Sequence, residues 1–107
     1  MGLSQGALFY LLTKLIIMSS FHGTTIKTTV SNLIRVIGEP DEATNDGRDK
    51  TNFDWYNLTL GGHKVTIYDW KEYRRISEDE IIEWHIGGES ELETIDAKLE
   101  LQKLLSK

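Results

Sequence analysis

Tyr68, Trp70, Lys71, Tyr73, Arg74 and Arg75 interleave aromatic rings with cations in a chain that is otherwise acidic, with 12 Lys and Arg against 17 Asp and Glu and a formal net charge of −5. An aromatic face stacks on a planar base while a neighbouring cation neutralises a phosphate. The pattern therefore points to a small anionic, nucleotide-like ligand. Trp84 and His85, from a later run, join the candidate set if their strand presents them on the same face. The competing reading keeps Tyr68 and Trp70 in the core and leaves the cations to solvate a loop, which is the ordinary habit of Lys and Arg.

Imidazole and carboxylate suit zinc and similar ions, so His63, His85 and Asp69 form a second candidate, the centre of a small metal-dependent hydrolase. Their spacing matches no metal motif. Gly87-Gly88 before a helix resembles an anion-binding turn, because free N–H groups at a helix start point towards a ligand. A double glycine there more often just supplies turn geometry. The sequence holds no phosphate-binding Gly-x-x-x-x-Gly-Lys, no nucleophile elbow and no His-Glu-x-x-His. It also has no cysteine, which removes disulfides, thiolate metal sites and cysteine nucleophiles. We expect a non-enzymatic protein with no cofactor and no metal, in a reducing, cytoplasmic setting.

The elements that must position these side chains are read from periodicity and punctuation. At 107 residues the chain has room for one core. Val30, Leu33, Ile34 and Ile37 follow the i, i+3, i+4, i+7 stripe of an amphipathic helix over 28–37, capped by Thr28 or Thr29 and closed by Gly38 and Pro40. Residues 41–52 are polar and read as a surface loop. Phe53 to Leu60 and His63 to Trp70 are rich in aromatic and β-branched residues and are joined by Gly61-Gly62, the signature of a tight hairpin. Alternation in the second strand sets Val65, Ile67 and Asp69 on one face and Lys64, Thr66, Tyr68 and Trp70 on the other. Ile82, Trp84 and Ile86 alternate with Glu83 and His85 in a third strand over 81–86, and Ser90 with Glu93 forms a capping box ahead of a helix over 91–105. The predicted fold is α+β, a small antiparallel sheet of about three strands, hairpin 53–70 plus strand 81–86, packed by helices 28–37 and 91–105. Apolar positions of the last helix spread beyond one stripe, which suggests contact with a partner or a homo-oligomer.

Ala7 to Met18 is almost continuously apolar, yet it falls short of the roughly 20 residues that span a bilayer. No cation precedes it and no cleavage pattern follows it. We expect no membrane role. Either it is a helix that packs on the domain or a partner, or residues 1–18 are an extension with the natural start at Met18. The abrupt change at Met18-Ser19-Ser20 favours the second reading, leaving 19–107 as a single domain. The acidic balance argues against broad nucleic-acid binding.

The runs Trp55 to Leu60, Val65-Thr66-Ile67-Tyr68-Asp69-Trp70-Lys71 and Glu83-Trp84-His85-Ile86-Gly87-Gly88, together with a helix ending in Gly-x-Pro, resemble small and mostly uncharacterised proteins of tailed bacteriophages. The likeness covers about Thr24 to Leu105. It implies a viral accessory protein in the host cytoplasm that inhibits a host process, such as a defence pathway, by binding a host protein or sequestering an anionic nucleotide. It carries over no active site, and a virion or assembly component is the remaining alternative.

Overall fold

Gly61 and Gly62 both adopt positive φ, at 59° and 82°, as a two-residue hairpin turn demands. They join β3 (Phe53–Leu60) to β4 (His63–Asp69), with Leu60 opposite His63. A side chain at Gly61 would put its Cβ 3.2 Å from the Asp96 carbonyl oxygen, so the tip also needs glycine in order to lie against the last helix. This computed structural model describes residues 21–47 and 51–107, and the apolar run at 7–18 lies outside them.

The predicted sheet of three strands is one of five among the described residues. β1 (Phe21–Thr28) precedes α1 (Val30–Ile37), and the two-residue β2 (Glu42–Ala43) lies within the expected surface loop. β5 (Ile82–Gly87) and α2 (Glu91–Leu105) complete the chain. The order is β1-β5-β4-β3-β2, with every neighbouring pair antiparallel. The hairpin and the last helix fall where the sequence puts them. α1 starts after Thr29, whose Oγ1 accepts from the Asn32 N–H at 3.0 Å, and ends at Gly38, whose N–H reaches the Ile34 carbonyl at 2.9 Å.

Two bulges shape the sheet. Between Trp55 and Leu58 β3 carries one residue more than its partner, since Trp55 faces Ile67 and Leu58 faces Val65. The Asp41 carboxylate accepts from Tyr56 and Asn57 N–H at 2.9 and 3.1 Å, so the amides at this bulge are answered. Between Phe21 and Thr25 β1 carries two residues more than β5, and Gly23 there has φ of 88°.

One sheet face packs against α2 through Thr94, Ala97 and Leu101. Val65, Ile67, Trp84, Ile86 and Trp55 are buried in this layer, with Val30 and Leu33 of α1. Trp55 and Trp84 meet edge to face at 5.5 Å, and Phe53 stands 6.4 and 6.3 Å from them. Their indole N–H groups donate to Gly38 O at 2.9 Å and Thr28 O at 3.0 Å. Two core tryptophans therefore hold the two ends of α1. At the other end of the core, Thr24 and Thr94 share a buried hydroxyl hydrogen bond of 2.7 Å that ties β1 to α2.

Candidate ligand site on the open sheet face

Antiparallel register carries one rung across all five strands: Thr25 opposite His85, His85 opposite Tyr68, Tyr68 opposite Asp54 and Asp54 opposite Glu42. These residues alternate with the buried ones, so they belong to the face away from α2. On this rung His85 stacks on Phe21, with ring centroids 3.8 Å apart and planes at 12°. Its imidazole also lies 5.4 Å from the Trp70 ring at 18°. Tyr68 meets both His85 and Trp70 edge-on, at 5.5 and 6.4 Å. The four rings line a shallow recess of about 350 Å³.

Lys71 holds φ of 54°, rare for a residue with a side chain, and places its Nζ 5.2 Å from the centroid of the Trp70 ring. Trp70 remains 51% exposed. The arrangement combines aromatic faces at the solvent boundary with one adjacent cation, on a face that also carries the Asp54 and Glu83 carboxylates.

Of the eight residues predicted for the site, Tyr68, Trp70, Lys71 and His85 come together. Tyr73 is exposed on the following loop and is not part of the recess. Arg74 is engaged elsewhere: its Nη1 donates to Glu80 Oε1 at 2.8 Å, its Nη2 pairs with Glu80 Oε2, and Glu72 stands 3.5 Å away. The Glu80 hydrogen bond raises the guanidinium pKa and lowers that of Glu80. Arg75 is exposed and does not line the recess. Trp84 is a correction. It is 0% exposed, on the opposite side of the sheet, because it is offset by one residue from His85. Phe21 was missed by sequence reasoning. Only the β1 bulge brings it over His85, and that pairing leaves no local signal.

The loop from Glu72 to Ile76 is held by side chains from the expected surface loop. Asn52 donates its amide to Glu72 O and Arg74 O, both at 3.1 Å. Asn45 donates to Ile76 O at 3.0 Å and accepts from the Ile76 N–H at 2.7 Å. Asn52 is therefore fully buried rather than a solvated loop residue.

The residues of the hydrolase candidate do not meet. Asp69 is buried on the α2 side, where it accepts from backbone N–H groups, and His85 lies on the open side. His63 sits at the hairpin tip, 3.1 Å from Glu93 and 3.2 Å from Asp96. The two carboxylates meet opposite nitrogens of the His63 ring. Among the described residues no group of three His, Asp or Glu side chains is arranged to hold a metal ion, and no helix is long and apolar enough to cross a membrane. Gly87 is part of β5 and pairs with Thr66 and Phe21, and neither Gly87 nor Gly88 has a positive φ, so the pair ends the strand without a left-handed turn.

Burial lowers the His85 pKa below its ordinary value of 6.5, against a pull upwards from Glu83. Burial raises the Tyr68 pKa, helped by the Asp54 charge. A histidine whose folded pKa is depressed binds fewer protons in the native state than in the unfolded one. Its contribution to stability is present in full above 6.5 and falls as pH drops towards the folded value. Thermal melts taken from neutral pH through the imidazole range are expected to show this decline, and His85→Phe, which keeps a stacking ring without a titrating nitrogen, is expected to flatten it. An unchanged slope in His85→Phe assigns the dependence to other groups.

Comparison with protein-family models, curated proteins and solved structures finds no match to the chain.

Proposed function

We propose that this chain is a non-enzymatic binding protein that takes the planar part of a small anionic ligand, of nucleotide type, on its open sheet face. The observation that carries the proposal is the ring group of Phe21, His85, Trp70 and Tyr68 with the Lys71 ammonium beside it. Stacking on such rings contributes about 1–3 kcal/mol per base and tolerates different bases. The recess lies at the small end of ligand sites, on the scale of one base and its sugar. In the phage setting implied by the resemblance of its strands, the protein is an accessory factor in the host cytoplasm that inhibits a host process by sequestering a signalling nucleotide. Capture of a host protein is the second reading, favoured by the exposed side chains of Tyr73, Ile81, Leu92 and Leu99.

A thermal-shift panel of linear and cyclic nucleotides tests the first reading. A ligand bound by the folded state alone must raise the melting temperature. At a free concentration about a hundred times Kd the gain is about 2.7 kcal/mol, which is about 10 °C for a domain of this size. Lys71→Ala is expected to abolish the shift and leave the unliganded melt almost unchanged, Trp70→Ala to abolish it while lowering the unliganded melt by a few degrees, and Arg74→Ala and Arg75→Ala to keep it. No shift with any nucleotide at millimolar concentration overturns the small-ligand reading, and a pull-down from infected cells then tests the protein partner.

A further inference from the structure

α2 leaves an apolar ridge in solvent. Leu92 is 76% exposed, Leu99 is 53% exposed and Ile95 lies partly open between them. Their i, i+3, i+7 spacing makes one seam, directly opposite the seam of Thr94, Ala97 and Leu101 that faces the sheet. The charges flanking the ridge are ordered. Glu91 and Lys98 lie on one flank, and Asp96 and Lys103 on the other.

We propose that this ridge is the interface of an antiparallel homodimer, in which α2 of one protomer packs along α2 of a second copy. The flanking charges select this orientation. When two helices pair in parallel, each flank meets the opposite flank of its partner, at residues five positions apart. Glu91 would then face Asp96 of the second copy, and Lys98 would face Lys103, so both rows repel. In an antiparallel pair each flank meets its own copy, which leaves one repulsion, Asp96 near Asp96 of the second copy, where the parallel pair has four. Leu92 then lies against Leu99 of the second chain and Ile95 lies close to the two-fold axis. Glu91 comes within two residues of Lys98 along the axis, about 3 Å at 1.5 Å per residue and within reach of both side chains. Two such pairs form by symmetry, as an isologous interface requires. A pair of four-turn helices falls short of the roughly 1,600 Å² of a standard interface, which makes the dimer concentration-dependent.

The chain contains no cysteine, so introduced thiols report the geometry without background. In the full chain, Ile95→Cys alone is expected to form a disulfide-linked dimer on mild oxidation. Leu92→Cys and Leu99→Cys are expected to cross-link when mixed and to give little product separately. Sedimentation of the unmodified protein is expected to show a monomer–dimer equilibrium that Leu99→Lys shifts at least tenfold towards monomer. Monomer at every concentration overturns the proposal. Efficient cross-linking of Leu92→Cys by itself overturns the antiparallel arrangement, since only a parallel pair brings those positions together.

Discussion

Trp84→Ala is expected to destabilise the protein by about 3–5 kcal/mol, the usual cost of removing a large buried aromatic side chain. Trp70→Ala is expected to cost about 1 kcal/mol, the scale of its ring contacts. The contrast follows from a single offset in register. Trp84 stands opposite Asp69 and is fully enclosed, packed edge to face on Trp55 and close to Phe53. Its indole N–H also holds the Thr28 carbonyl just ahead of α1, so alanine opens a cavity and leaves that buried oxygen without its partner. Trp84→Phe keeps much of the ring and loses the donor, and should fall between the two. Guanidinium midpoints at unchanged slope measure all three. If Trp84→Ala costs no more than Trp70→Ala, the assignment of the two tryptophans to opposite faces fails. For ligand binding the ranking inverts, because Trp70 lines the recess and Trp84 does not.

The parts of the fold legible in the sequence are those whose signals are local. Thr29 and Gly38 bound α1, Gly61-Gly62 turn the hairpin, and Ser90 starts α2, each through a cap or backbone angle that a few neighbouring residues decide. β1 escaped because its core-facing positions are Thr24, Ile26 and Thr28, of which only Ile26 is a large hydrophobe. Its burial depends on pairing with β5 almost sixty residues later in the chain, which β-branched alternation alone does not announce. β2 is two exposed residues with no apolar signature. The candidate site divides in the same way. Alternation correctly separates Tyr68 and Trp70 from Val65, Ile67 and Asp69. Grouping Trp84 with them fails because the face of a neighbouring strand is set by inter-strand register. Arg74 reads as a free cation until Glu80 is seen to fold back across the acidic turn. Phe21 depends on a two-residue bulge, a long-range irregularity with no counterpart in composition.

Asp69→Ala is the second large effect, expected at about 3 kcal/mol. The carboxylate is completely enclosed at the end of β4, where Oδ2 accepts from the Asn52 N–H at 3.1 Å and Oδ1 from the Phe53 N–H at 2.8 Å. Alanine leaves two buried donors unanswered where β3 begins, and an unmet buried group costs about 1–3 kcal/mol. The damage should travel. Asn52 carries the amide that holds the carbonyls of Glu72 and Arg74, so loosening its backbone releases the loop that follows Lys71. Asp69→Asn retains one acceptor but turns an amide N–H towards one of the two donors, and should recover less than half of the loss. Burial raises the Asp69 pKa, opposed by the hydrogen bonds from Phe53 and Asn52. A carboxyl with a raised folded pKa binds more protons in the native than in the unfolded state, so its linked stability is present in full below the ordinary carboxylate range. It is lost as pH rises through the folded value. The stability gap between the native sequence and Asp69→Asn is therefore expected to widen as pH falls through that window. A gap that narrows on acidification would mean that the two backbone donors, rather than burial, dominate the charge state of Asp69. The anchor of the candidate loop would then be stronger at neutral pH than in acid.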